Sequence, residues 1–324
     1  MPKKRKHRGK HQPQMPPRPR PAAGEVLPAL DLNYLNAATI ITPEWTTAEF
    51  IIAGCGGIGG YVVQHVGRLM YVLYRLGKMA HMKLIDPKVV SELNPGRQLF
   101  CDAEIGKPKA AALAERYGFA WGLNTSYHVG EFDEKLRMPS ADVTFIIGCV
   151  DGAAGRRAMH EALSSNEAGG PPRIWWLDCG NAHDTGQVVL GCMADSTEMR
   201  GAFPNKEVCV RLPSPAIQYP ELLRERREEL AGTDMTCEEM LVANQQSLNV
   251  NADIAVKASN MLTRLLVTYD LNYFACQINT AACTTLPTYA TPEEVARASK
   301  KPVSFITSGM KAEEAEEERT AVAV

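Results

Sequence analysis

The sequence predicts an α/β fold: a Rossmann-like, mostly parallel sheet with helices on both faces, extended by antiparallel strands in the C-terminal half. Three patterns carry that expectation. An apolar run, a glycine turn and a helical repeat succeed one another without a break from Ala48 to Leu69. Apolar strand-like runs then alternate with helical stretches as far as Ser164, the pattern of a parallel sheet covered on both sides. Beyond these, Arg173–Gly180 and Gly186–Met193 are two apolar runs close enough to pair antiparallel.

Taken in order, Phe50–Ala53 is a short buried strand, and Gly54, Gly56, Gly57, Gly59 and Gly60 let the backbone turn tightly and approach a ligand. Tyr61, Val62, His65, Val66 and Leu69 recur at helical spacing, so the turn opens onto a helix N-terminus. The free N–H groups and dipole of such an end favour an anion, usually a phosphate. His81–Asp86 reads as a second strand, Lys107–Tyr117 as a helix, and Ser126–Phe132 as a third strand. Ala141–Asp151 is a strongly apolar fourth strand, and Arg156–Ser164 a helix. A ligand of this kind of sheet sits outside the C-terminal strand ends, where Asp86 and Asp151 both fall. Tyr219–Leu230 reads as a charged helix, Cys237–Asp270 as a long helical stretch, and Asn272–Pro287 as one or two strands.

Composition divides the 324 residues into a basic, Pro-rich tail (1–30), a globular domain (31–305) and an acidic tail (306–324). The net charge of −2 argues against a global nucleic-acid or membrane role. It conceals a first 20 residues with eight Lys or Arg and no acid, a solvated tail whose charge suits at most weak nucleic-acid contact. The nine cysteines include no CxxC pair and no signal peptide precedes them, which reads as free thiols in a reducing cytoplasm. The apolar runs fall far short of the ~20 residues that span a bilayer.

A glycine turn alone fits an NAD-binding Rossmann oxidoreductase or a non-catalytic nucleotide-binding scaffold. The stretch beyond the second strand points elsewhere. Gly54–Cys55–Gly56–Gly57–Ile58–Gly59, Asp86, Asn94–Pro95–Gly96–Arg97–Gln98, Gly106–Lys107–Pro108–Lys109 and Asp151 occur in that order over about 100 residues. This succession resembles the nucleotide site of the ThiF/MoeB/HesA superfamily, the ubiquitin-activating-enzyme-like adenylating enzymes. The likeness extends through Gly180–Gly191 and Gln245–Leu266, and looks closest to the ThiF-family member of plasmid PRTRC gene systems.

The resemblance implies ATP-dependent adenylation of a carboxylate, most simply the C-terminus of a small ubiquitin-like protein, by a homodimer using ATP and Mg2+. It implies that Asp86 holds the ribose, that Arg97 and Lys109 hold phosphate oxygens, and that Asp151 positions the magnesium. Gly54, Gly56, Gly57, Gly59, Asn94 and Gln98 complete the nucleotide-binding set. Phosphate oxygens suit cations, Arg as a bidentate donor and Lys as a point charge. Magnesium takes one or two carboxylates together with phosphates. The bland alternatives are a surface acid or helix cap for Asp86, solvated cations for Arg97 and Lys109, loop structure for Asn94 and Gln98, and a cap on the following helix for Asp151. Lys107 competes with Lys109, and Asp86–Pro87–Lys88 stands where the family often has Asp–x–Asp. Many relatives pass the acyl group to a cysteine; Cys237, on a polar stretch, is preferred here to Cys209, and Cys55, Cys149 and Cys179 read as packing residues.

Overall fold

In the computed structural model, which describes residues 33–138, 140–167, 169–182, 184–225 and 249–310, one sheet of eight strands forms the centre. The strands are β1 (Thr47–Ala53), β2 (Met79–Ile85), β3 (Thr125–His128), β4 (Val143–Gly148), β5 (Ile174–Asn181), β6 (Thr185–Gly191), β7 (Tyr273–Asn279) and β8 (Thr284–Tyr289). Their spatial order is β3-β2-β1-β4-β5-β6-β7-β8. Strands β1 to β5 run parallel, whereas β6, β7 and β8 pair antiparallel. The order reverses between β1 and β4, and in open α/β sheets a crevice opens at such a switch point, beyond the C-terminal strand ends.

Side chains along β1 alternate as a pleated strand requires. Phe50 and Ile52 join the core under α1 (Gly57–Arg75), α2 (Lys109–Trp121) and α4 (Val250–Thr263). Ile51 and Ala53 join the second core, under α3 (Ala153–Ala162). The Phe50 and Phe145 rings stack with centroids 5.6 Å apart, locking β1 to β4. Glu49 interrupts this apolar pattern: it is fully buried, accepts a hydrogen bond from the Met138 N–H at 2.7 Å, and lies 3.6 Å from the Lys83 ammonium. Burial pushes the Glu49 carboxyl above its ordinary range.

Several boundaries differ from the sequence expectation, each for a local reason. The fourth strand stops at Gly148, so Asp151 stands in the loop beyond it rather than on the strand. The third strand is the short edge strand Thr125–His128, and Val129–Phe132 leave the sheet. Of the charged helix expected over Tyr219–Leu230, the described residues, up to 225, form only a 3-10 turn, Pro220–Leu223. Pro220 holds Tyr219 out of the helical region (φ −131°, ψ 82°), and Arg224 is extended. From residue 226 that segment lies outside the described residues, as does the part of the long helical stretch from Cys237 to residue 248. The described part of the latter is α4 followed by a π-turn, Arg264–Thr268. Among the described residues, no helix is long and apolar enough to cross a membrane.

Candidate active site

At the switch point lies a cavity of about 510 Å³. Its floor is the glycine turn. Gly54 has φ +90°, a left-handed conformation that glycine alone adopts without strain, and a Cβ there would lie 2.4 Å from the Cys149 carbonyl oxygen. A Cβ on Gly59 would lie 1.8 Å from the Gly54 oxygen, so helix α1 seats directly on the turn. Gly56 is the N-cap of α1 and supplies no side-chain cap, and the first helical turn carries no acid. The opening N–H groups of α1 therefore face the cavity as an anion site.

The acid at the end of β2 links this floor to the next segment. One Asp86 oxygen accepts from the Cys55 N–H and the other from the Lys88 N–H, both at 2.7 Å, with the side chain buried. After Asp86 the chain passes through Asn94–Pro95–Gly96–Arg97, a tight turn closed by Arg97 N–H to Asn94 O at 3.1 Å, with Gly96 at φ +80°. Proline second and a positive-φ glycine third are what a type II turn demands. The Asn94 side chain braces it by accepting from the Ser91 N–H at 2.9 Å, and Asn94 is not among the residues lining the cavity. The turn instead brings Arg97 and Gln98 to the cavity wall.

Lys109 opens helix α2. Its side chain is buried, lines the cavity, and donates to the Gln98 side-chain oxygen at 3.2 Å. Burial draws its pKa below the ordinary lysine value, chiefly by desolvation. The negative charge of Asp86 pulls it back up, and the neighbouring Lys88 lowers it further. Lys107 points away, exposed, and pairs with Glu115 at 3.8 Å, so of the two competing lysines only Lys109 belongs to the cavity.

Asp151 also lines the cavity, exposed, and the N-cap of α3 is Gly152 without a side-chain cap bond, so Asp151 does not cap that helix. Its loop is held by Arg156, which donates to the Asp151 carbonyl at 3.0 Å and to the Asp178 carboxylate at 2.9 Å in a buried pair. Replacing Arg156 by methionine removes the cation facing a buried carboxylate. It is expected to cost about 3–5 kcal/mol, read as a fall in the denaturant midpoint at constant slope.

Cys237 lies outside the described residues. Cys209 is buried, with its thiol pushed up to about 12, and Cys55 and Cys179 are buried too, their thiols raised chiefly by desolvation and, for Cys179, first by its hydrogen bond with Cys149. Sequence reasoning missed Arg156, Asp178, Lys88 and the amide pair Asn181–Asn251. In that pair, Asn181 donates to the Asn251 side-chain oxygen at 2.6 Å, and both line the cavity. Asn251 also packs on the first residue of α1: a Cβ at Gly57 would lie 2.6 Å from its side-chain nitrogen. The two asparagines fall in the later segments of family likeness, Gly180–Gly191 and Gln245–Leu266, which was the available signal.

Comparison with known proteins identifies the family. Over 117 residues the chain is 32% identical to the NEDD8-activating enzyme E1 catalytic subunit of Saccharomyces cerevisiae, covering 36% of this chain and 37% of that protein. The match thus spans little more than a third of that relative's length. Crystal structures of E. coli MccB with ATP, and of MccB with AMPCPP and selenomethionine MccA, are similar over 75% of this chain and 64% of theirs, each with a TM-score of 0.49 and 16% identity. The model of the ThiF family matches residues 42–284, from before the glycine turn to the start of β8. The chain belongs to the ThiF family.

Proposed function

We propose that this protein adenylates the C-terminal carboxylate of a small ubiquitin-like protein with ATP, as a homodimer of the PRTRC type. The observation that carries the proposal is the cavity itself. An uncapped helix N-terminus, a glycine floor and the cations Arg97 and Lys109 converge on the space between Asp86 and Asp151. A cavity with that many positive groups is suited to a polyphosphate rather than to a nicotinamide, which needs no cations at those positions.

In this reading, Asp86 accepts from the ribose hydroxyls, using the lone pairs that its two backbone bonds leave over. The first turn of α1 holds phosphate oxygens, with Arg97 and Lys109 offsetting the negative charge that builds in the transition state. A substrate carboxylate oxygen attacks the α-phosphorus, the bond from that phosphorus to the bridging oxygen breaks, and pyrophosphate leaves with the electron pair. Asp151 fits a hard cation: it is an exposed carboxylate on the cavity wall, and magnesium takes one or two such groups together with phosphates. Bound there, magnesium would supply further neutralisation of phosphate charge. In the subsequent step of the proposal the Cys237 thiolate attacks the acyl carbon of the adenylate, the bond to the phosphate oxygen breaks, and AMP leaves. This step is expected to give a reductant-sensitive conjugate that Cys237→Ala abolishes.

The test is exchange of labelled pyrophosphate into ATP, with a small protein ending in Gly–Gly as the carboxylate donor. Wild type should exchange, and Asp151→Ala should lose about 100-fold or more. ATP binding with no exchange for any such donor would leave a nucleotide-binding scaffold, and tight NADH binding without ATP binding an oxidoreductase.

A further inference from the structure

Lys88 is exposed at the mouth of the cavity and lines it. It is not placed there by a flexible loop. The segment after Asp86 and the segment before α2 form a short antiparallel ribbon: Gly106 N–H donates to Val90 O at 2.8 Å, Val90 N–H to Lys107 O at 2.8 Å, and Lys109 N–H to Lys88 O at 3.0 Å. The last of these bonds couples the two lysines backbone to backbone. The Lys88 N–H is in turn fixed to Asp86. Two lysines are therefore held beside each other by main-chain bonds, one buried and one at the opening.

Like charges placed together repel, and Lys88 is one of the groups that lower the Lys109 pKa, after burial. A folded chain that holds two ammonium groups together needs a reason. An ion pair for Lys88 is not that reason, because its ammonium makes no hydrogen bond or salt bridge among the described residues. The charges of Asp86 and Asp151 offset part of that repulsion at Lys109, but among the described residues neither carboxylate is bonded to the Lys88 ammonium, and both Asp86 oxygens are already held by backbone N–H groups. Arg97, the third cation on the wall, likewise has no side-chain partner among the described residues. The wall also carries Asp86, Glu131 and Asp151, yet neither Lys88 nor Arg97 bonds any of them, and two such cations beside Lys109 suit a polyanion in the cavity.

We propose that Lys88 is a phosphate-binding residue of this site, reaching the polyphosphate chain from the mouth of the cavity and making affinity depend on the number of phosphates. The proposal rests on the adenylation reading for the identity of the nucleotide, though not for the anion itself.

Isothermal titration of the full chain with ATP, adenosine and inorganic tripolyphosphate tests it. Lys88→Met is expected to weaken ATP and tripolyphosphate by about tenfold, as loss of one charge-assisted contact predicts, with adenosine unchanged. Lys88→Arg should restore most of the loss. Lys107→Met, on the surface nearby, should bind as wild type. ATP affinity of Lys88→Met within twofold of wild type would overturn the proposal. So would an equal loss for adenosine, because Lys88 would then be acting on the frame of the site. Wild-type protein that binds tripolyphosphate through Lys88 yet exchanges no pyrophosphate would sink the adenylation reading and leave this role of Lys88 standing.

Discussion

Lys109→Met should lower kcat/KM for pyrophosphate exchange by about 100–1,000-fold, the loss typical when one preorganised donor to a developing charge is removed. Methionine keeps the unbranched stem that lies along Phe100, whose ring is 5.9 Å from the ammonium, so packing is conserved while the charge goes. The same variant is expected to melt higher than wild type without nucleotide. Burial disfavours the Lys109 ammonium, and Lys88 adds to that cost, so the charge weakens the empty fold. A drop in Tm together with lost exchange would mean that the lysine is structural. The pH dependence has a definite sign. With Lys109 held below the ordinary lysine value by burial and Lys88, against the upward pull of Asp86, Cys55 and Asp151, ATP binding should fall as pH rises through that lowered pKa. Lys109→Arg stays charged throughout, and its titration with ATP should lack that alkaline limb.

Gly59→Ala is the second large effect. Its added carbon would sit 1.8 Å from the Gly54 oxygen and 2.8 Å from the Gly54 carbonyl carbon, both backbone atoms that no rotamer change can move. Either α1 lifts from the turn or the turn is displaced from Cys149. Overpacking of this kind costs about 3 kcal/mol, a fall in Tm of roughly 6–12 °C for a domain of this size. Nucleotide binding should be lost with it. Gly56→Ala provides the contrast: its added carbon would face the cavity, with only the Gln98 side-chain nitrogen within 4 Å, at 3.8 Å. That variant should melt like wild type and yet bind ATP poorly. Thermal denaturation of the two with and without ATP separates a glycine needed for packing from one needed for access.

Most of the central strands and the glycine turn were legible because their signals are local. Five apolar runs at the expected spacing became the parallel β1, β2, β4 and β5 and the antiparallel β6. The choice between Lys107 and Lys109 was not legible. It depends on where α2 begins, and a shift of two residues around a helix turns a side chain from cavity to solvent. Asn94 read as either a ligand contact or part of the loop, because it travels with Arg97 and Gln98; in three dimensions its side chain braces the turn that aims them. Arg156 and Asp178 lie 22 residues apart and pair only once β4 and β5 are side by side, so no spacing in the chain announces them. Glu49 is a further case, a carboxylate in the middle of a buried strand whose partners, Lys83 and the Met138 N–H, lie 34 and 89 residues on.

The two backbone bonds of Asp86 also constrain how this site evolves. The carboxylate proposed to read the sugar is the same group that ties the glycine turn, through Cys55, to the lysine ribbon, through Lys88. A substitution there changes ligand choice and wall geometry in one step. A lineage drifting toward another nucleotide would therefore meet a fitness valley at Asp86, while positions of single duty, such as Arg97 and Lys88, stay open to gradual change. Within this cavity, divergence should accumulate around a fixed acid.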